Sequence, residues 1–214
     1  MCGLVGVLLP NGAQERANDI RRACDAMVHR GPDDQGQFFQ GPVGLGFRRL
    51  SILDLTPGGH QPMTSADGEW TVVFNGEIYN FIELRRELRA AGRELHSESD
   101  TEVLVEGLSL WGLRTFDRCN GMWAVLAWHV PTQTLYVVRD PWGIKPLVTA
   151  RLDNGWAFAS EIGGLKALGC QIGELNLQVA SHFLTTGELD IGDHTAFTAV
   201  RRLLPGRVYA YRAG

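Results

Sequence analysis

At 214 residues, 44% hydrophobic and 21% charged, the chain can bury a sizeable core and has the composition of an ordinary globular protein. A formal net charge of -4, with 20 basic residues spread along the chain, argues against a nucleic-acid-binding face. Cys2, Cys24, Cys119 and Cys170 lie far apart with no CxxC pair, and the six histidines show no ligand-like spacing, so neither a disulfide framework nor a metal site is expected.

The opening run MCGLVGVLLP is apolar but has no basic flank and stops at Pro10. It is too short for a membrane span and lacks a signal-peptide plan, so no membrane association and a cytoplasmic location are expected. Met1 to Leu9 reads as a buried strand, and Ala17, Ile20, Ala23, Cys24 and Met27 recur at helical spacing. Strands are expected around Gln37–Gln40 and Val43–Phe47, then a polar loop over Thr56–Pro62, then a strand from Trp70 to Phe74 that runs into Asn75-Gly76. Asn80 with Glu83, and Ser99 with Glu102, fit capping boxes, and Gly92 and Gly112 are the matching helix stops. Met122–Val130 and Thr134–Asp140 read as paired strands. Leu147–Leu152 and Trp156–Ala159 flank the hairpin signal Asp153-Asn154-Gly155. Short helices near Glu161–Leu168 and Leu177–Thr185 and a strand at Arg207–Tyr211 complete the order. With no repeat or linker, one unit over residues 1–214, with sheets covered by helices, is expected.

Cysteine at position 2 carries a chemical opportunity. Once Met1 is removed, a thiol and a free α-amine belong to one residue, and their ordinary pKa values, about 8.5 and about 8, lie close enough for the amine to take the thiol proton. Alone, this position reads better as a small buried cysteine in the first strand. Its company changes the reading: CGLVG from Cys2, HRGPD from His29, RLSI from Arg49, NGEIYN from Asn75, SDTE from Ser99, Arg139-Asp140 with GIKP from Gly143, and Ala159-Ser160-Glu161 occur in that order.

This set resembles the N-terminal glutaminase domain of the class II glutamine amidotransferases, and within them the asparagine synthetases. The match runs from Cys2 to about Tyr211. The resemblance implies an α+β fold, the four-layer αββα sandwich of the N-terminal-nucleophile hydrolases. It implies L-glutamine as substrate, Cys2 as nucleophile, and Asn75 and Gly76 as oxyanion donors. Arg49 becomes the clamp for the α-carboxylate, and Glu77 and Asp100 the partners of the α-ammonium. Leu50, Ser51, Ile52 and Leu53 are expected to line the pocket through backbone groups, and Arg30 and Asp33 to hold the loop that positions Cys2.

The chain departs from the family pattern at Pro141-Trp142, at Val148-Thr149 and at Gly163-Gly164, which is expected to interrupt its short helix. No SGG-type pyrophosphate loop and no GxxxxGK[ST] occurs, so ATP and magnesium are expected only in a separate synthetase half, docked near Ile144–Leu147. No cofactor is expected in this chain, and a homo-oligomer is an open alternative. Two rival readings remain: a nucleophile amidase for another amide, and a non-catalytic interaction module.

Overall fold

The computed structural model describes residues 1–188 and 191–213. Its first sheet runs, in spatial order, β10 (Arg201–Arg202), β8 (Val148–Leu152), β9 (Gly155–Ala159), β1 (Gly3–Leu8), β3 (Val43–Arg49) and β2 (Asp34–Gln40). The second runs β11 (Val208–Arg212), β7 (Thr134–Arg139), β6 (Gly121–His129), β5 (Trp70–Ile78) and β4 (Met63–Thr64). Every strand pairing is antiparallel.

Side chains alternate faces along a strand, and both sheets use both faces. On β1, Leu4 and Leu8 point between the sheets, where they meet Leu45, Phe47, Val73, Leu126 and Trp128. Val5 and Val7 point the other way, onto α1 (Ala17–Ala26) and α5 (Ile162–Ala167) through Ile20, Cys24, Met27 and Leu165. Beyond the second sheet, Val72, Phe74 and Val125 pack on Leu84 and Leu88 of α2 (Phe81–Ala90) and on Leu104 and Leu108 of α3 (Asp100–Trp111). The layers are therefore helix, sheet, sheet, helix, the expected αββα sandwich. Each fully buried Leu or Phe in these layers contributes roughly 1.5–3 kcal/mol. Gly6 sets how closely the sheets approach, because a Cβ there would lie 2.5 Å from Leu126 Cδ1.

Several local expectations need correction. The strand from Trp70 does not end at Phe74; β5 continues through Asn75-Gly76 to Ile78, paired all along with β6. The Asn-Gly turn signal is overridden because Ala124 and Trp123 supply ladder partners. Asn80 stands at the N-cap of α2, but its side chain makes no capping bond. Its amide donates to the Arg118 carbonyl at 2.9 Å and accepts from Asn120 N–H at 2.8 Å. Ser99 does cap α3, accepting from Thr101 N–H at 3.1 Å, but Glu102 turns instead to the His96 and Ser97 N–H groups. Gly163-Gly164 does not interrupt α5, whose helix runs through both. Gly164 lets the helix lie close to β9, since a Cβ there would meet the Ala159 Cβ at 3.0 Å. The two-residue strands β4 and β10 and the single turn α4 (Thr115–Arg118) were too short to leave a periodic signal.

Candidate active site

Period-2 alternation builds the site. Cys2 precedes β1 on the Leu4–Leu8 face and packs against the inter-sheet core. On β3, Arg49 follows Phe47 and Leu45 on the inner face, whereas Arg48 turns outward to the Gly31 carbonyl and to Gln35. On β5, Asn75 follows Val73 inward. Three residues distant in sequence thus converge where the two sheets part. A cavity of about 110 Å³ opens there, lined among others by Cys2, Arg49, Leu50, Asn75, Asp100 and Lys145.

The Cys2 sulfur is anchored on the segment after β3, where Leu50 N–H donates to Sγ at 3.4 Å and the thiol faces the Leu50 carbonyl at 3.7 Å. Arg30 Nε donates to the Cys2 carbonyl at 2.9 Å, and its Nη1 pairs with Glu161 at 2.7 Å. Asp33 takes the Ser51 N–H at 2.8 Å, and its own N–H donates to the Arg49 carbonyl at 3.0 Å. Arg30 therefore holds the backbone of Cys2, and Asp33 holds the segment that meets the sulfur.

Burial pushes the Cys2 thiol above its ordinary value; the Leu50 N–H, the Met1 amine, Arg49 and Lys145 pull the other way. Cys24 and Cys119, buried without such a ring of cations, are pushed up to about 12 by burial. The four thiols are all unpaired.

Asn75 is 1% exposed, and its Nδ2 is a buried donor with no partner among the described residues. An unmet buried N–H costs about 1–3 kcal/mol, so a fold keeps one only under other constraints. Gly76 beside it admits no side chain, because a Cβ would collide with the Met122 carbonyl across the ladder. Asp100, at the start of α3, accepts from Ile78 N–H at 3.0 Å. Burial, and then the charge of Glu77, raise its carboxyl to about 6. Glu77 and Asp100 thus set two acidic side chains on the wall of the cavity.

The loop from Leu50 to Thr56 behaves differently from expectation. Leu50, Ile52 and Leu53 line the cavity, but Ser51 does not: its N–H is spent on Asp33, and the residue faces the opposite side of the loop. The Arg49 guanidinium lines the cavity while donating to the carbonyls of Leu53, Asp54 and Thr56. It therefore shapes the loop as well as the pocket.

Among the lining residues to which the sequence assigns no role, Gln61 and Lys145 stand out. Gln61, buried beside β5, accepts from Phe74 N–H at 2.6 Å and donates to the Phe74 carbonyl at 3.2 Å and to Thr101 at 3.0 Å, tying β5 to α3. Lys145 lies within the GIKP run, but nothing in the run itself says that it faces a thiol.

The whole chain, residues 1–214, matches the model of the glutamine amidotransferase domain family. It is 43% identical over 164 residues to asparagine synthetase [glutamine-hydrolyzing] 1 of Bacillus subtilis, covering 75% of this chain and 26% of that protein. It is 37% identical over 233 residues to a putative asparagine synthetase [glutamine-hydrolyzing] of Mycobacterium bovis, covering 100% of this chain and 35% of that protein. The chain thus spans about a quarter to a third of the length of these curated relatives. Among solved structures, glutamine phosphoribosylpyrophosphate amidotransferase from B. subtilis superposes with a TM-score of 0.71 at 17% identity, over 100% of this chain and 49% of that one, a likeness of fold. No helix among the described residues is long and apolar enough to cross a membrane. From the cavity between its sheets to the match along its full length, the chain belongs to the glutamine amidotransferase domain family.

Proposed function

We propose that this chain hydrolyses L-glutamine to glutamate and ammonia through a thioester on Cys2. The observation that carries this reading is the unpartnered Asn75 Nδ2, buried on the same inter-sheet face as the Cys2 sulfur. With Met1 removed, the Cys2 α-amine takes the thiol proton and the sulfur attacks the γ-amide carbon. The oxygen of the tetrahedral intermediate is held by Asn75 Nδ2 and the Gly76 N–H. On collapse the C–N bond breaks, and the leaving nitrogen carries away the proton stored on the α-amine as ammonia. A water, deprotonated by the same amine, then opens the thioester and frees glutamate. Asp100 and Glu77 hold the substrate ammonium and Arg49 its carboxylate, while Leu50, Ile52 and Leu53 form the wall. This sequence moves protons and one acyl group only, so it calls on no cofactor in this chain.

The relatives' names add the destination. The ammonia is proposed to pass to an ATP-dependent synthetase domain or subunit that amidates a carboxylate, aspartate being the acceptor those names suggest. ATP and magnesium belong to that half. Of the segment expected to meet it, Leu147 is buried, whereas Ile144 and the adjacent Trp142, 82% exposed, offer an apolar face.

The test is glutamate release from glutamine without ATP, with the glutamyl adduct on Cys2 sought by intact mass. Cys2→Ala should abolish release yet keep glutamine binding. Full activity in protein that retains Met1 would overturn the amine-as-base mechanism.

A further inference from the structure

The turn between β7 and β8 is fixed by two ionisable side chains. Asp140, fully buried, accepts from the N–H groups of Trp142, Ile144 and Lys145, each at 3.0 Å, and of Trp123 at 3.3 Å. Arg139 donates to the carbonyls of Lys145 at 2.8 Å and Leu203 at 2.6 Å, and to that of Gly143. Gly143 takes φ +65° at the bend, a conformation that favours glycine. These charge-assisted bonds tie the turn to both side chains. In it Trp142 and Ile144 face outward, and Lys145, 7% exposed, lines the cavity with Cys2.

With Met1 in place, the charged groups around the Cys2 sulfur are the Met1 amine, Arg49 at the end of β3, and Lys145. The acids of the cavity, Glu77 and Asp100, stand on β5 and α3. Arg30, which holds the Cys2 carbonyl, is itself neutralised by Glu161, which His29 also meets. Once Met1 is removed, the Cys2 α-amine must be neutral before it takes the thiol proton, so at that point it lends the thiol no positive charge. Arg49 is engaged with three loop carbonyls. Lys145 has no carboxylate within ion-pair distance among the described residues, since both Asp140 oxygens serve backbone N–H groups.

We propose that Lys145 is a positioning residue for the nucleophile: a cation, held at the cavity wall by the Arg139–Asp140 clamp, that favours loss of the Cys2 thiol proton to the α-amine. This rests on the reading of Cys2 as nucleophile. The thiol proton goes to the α-amine, and Lys145 exchanges none. A cationic side chain on the wall of a low-dielectric cavity favours a nearby anion more than the same charge would in water.

The experiment follows the rate of Cys2 alkylation by iodoacetamide against pH, read by mass on the N-terminal peptide of protein lacking Met1. In Lys145→Met and Lys145→Gln the midpoint should move up by about half to one pH unit, slowing alkylation near neutrality by roughly 3- to 10-fold with the high-pH limit unchanged. Lys145→Arg, which keeps the charge, should restore the profile, and kcat should fall in the neutral variants more than KM rises. An unmoved midpoint in a folded neutral variant overturns the proposal. So does loss of the fold in both neutral variants, which would make Lys145 a structural residue. If alkylated wild-type protein still hydrolyses glutamine, it is the nucleophile reading that fails instead.

Discussion

Arg30 and Glu161 are paired at 2.7 Å, and the same guanidinium reaches the Cys2 carbonyl at 2.9 Å, so an acid from the far end of the chain steadies the residue at its start. Glu161 lies just before α5, and its carboxyl is held below the usual range: burial would raise it, but Arg30 and His29 outweigh that. A carboxyl lowered in this way stabilises the fold fully above its ordinary value of 4.5, and the contribution is lost as the pH falls through the lowered one.

Arg30→Met should therefore cost about 1–3 kcal/mol of stability, because a buried carbonyl loses its donor. It should also lower kcat by about 10²-fold through misplacement of the nucleophile. Glu161→Gln, at a site about one-third exposed, should cost under about 1 kcal/mol. Denaturant unfolding and glutaminase rates on both variants check this. Equal kcat in wild type and Arg30→Met would show that the pair supports the fold without serving the site.

Asn75→Ala separates function from stability in the opposite sense. Its Nδ2 is unpartnered, so truncation forfeits no hydrogen bond from that atom and removes a desolvated donor. Stability should stay within about 1 kcal/mol of wild type while kcat falls by about 10²–10³, as expected for loss of one oxyanion donor. Thermal unfolding alongside steady-state kinetics decides it. A large loss of stability with kcat preserved would move Asn75 out of the proposed mechanism.

Asp100 predicts the pH dependence of substrate binding. In the empty pocket its carboxyl titrates near about 6, raised by burial and by Glu77. Glutamine carries its ammonium throughout this range, so only the ionised Asp100 pairs with it. Affinity measured calorimetrically on Cys2→Ala should be flat above that value and weaken below it, by at most about tenfold per pH unit. Asp100→Asn should bind weakly and lose this dependence. The free protein behaves oppositely: because the folded carboxyl holds its proton more tightly than the ordinary value of 3.8, this group's contribution to stability rises as the pH falls from about 6 toward 3.8.

The sequence by itself determined the family, most strands and helices, and the residue types of the site. HRGPD, RLSI and NGEIYN are contiguous words, and alternation over β1, β3 and β5 is a local property of the chain. Tertiary structure alone decided which of those residues meet. Arg49 and Leu50 are neighbours, yet both line the cavity with Cys2, because β3 ends at Arg49 and the alternation ends with it. Asn75-Gly76 carries a turn signal, and only the ladder with Ala124 and Trp123 makes it strand. Lys145 shares a cavity with Cys2, and Glu161 reaches it through Arg30, each across more than half the chain. No local pattern encodes such contacts, because they depend on how the two sheets stack and on the buried Arg139–Asp140 clamp that fixes one turn against them.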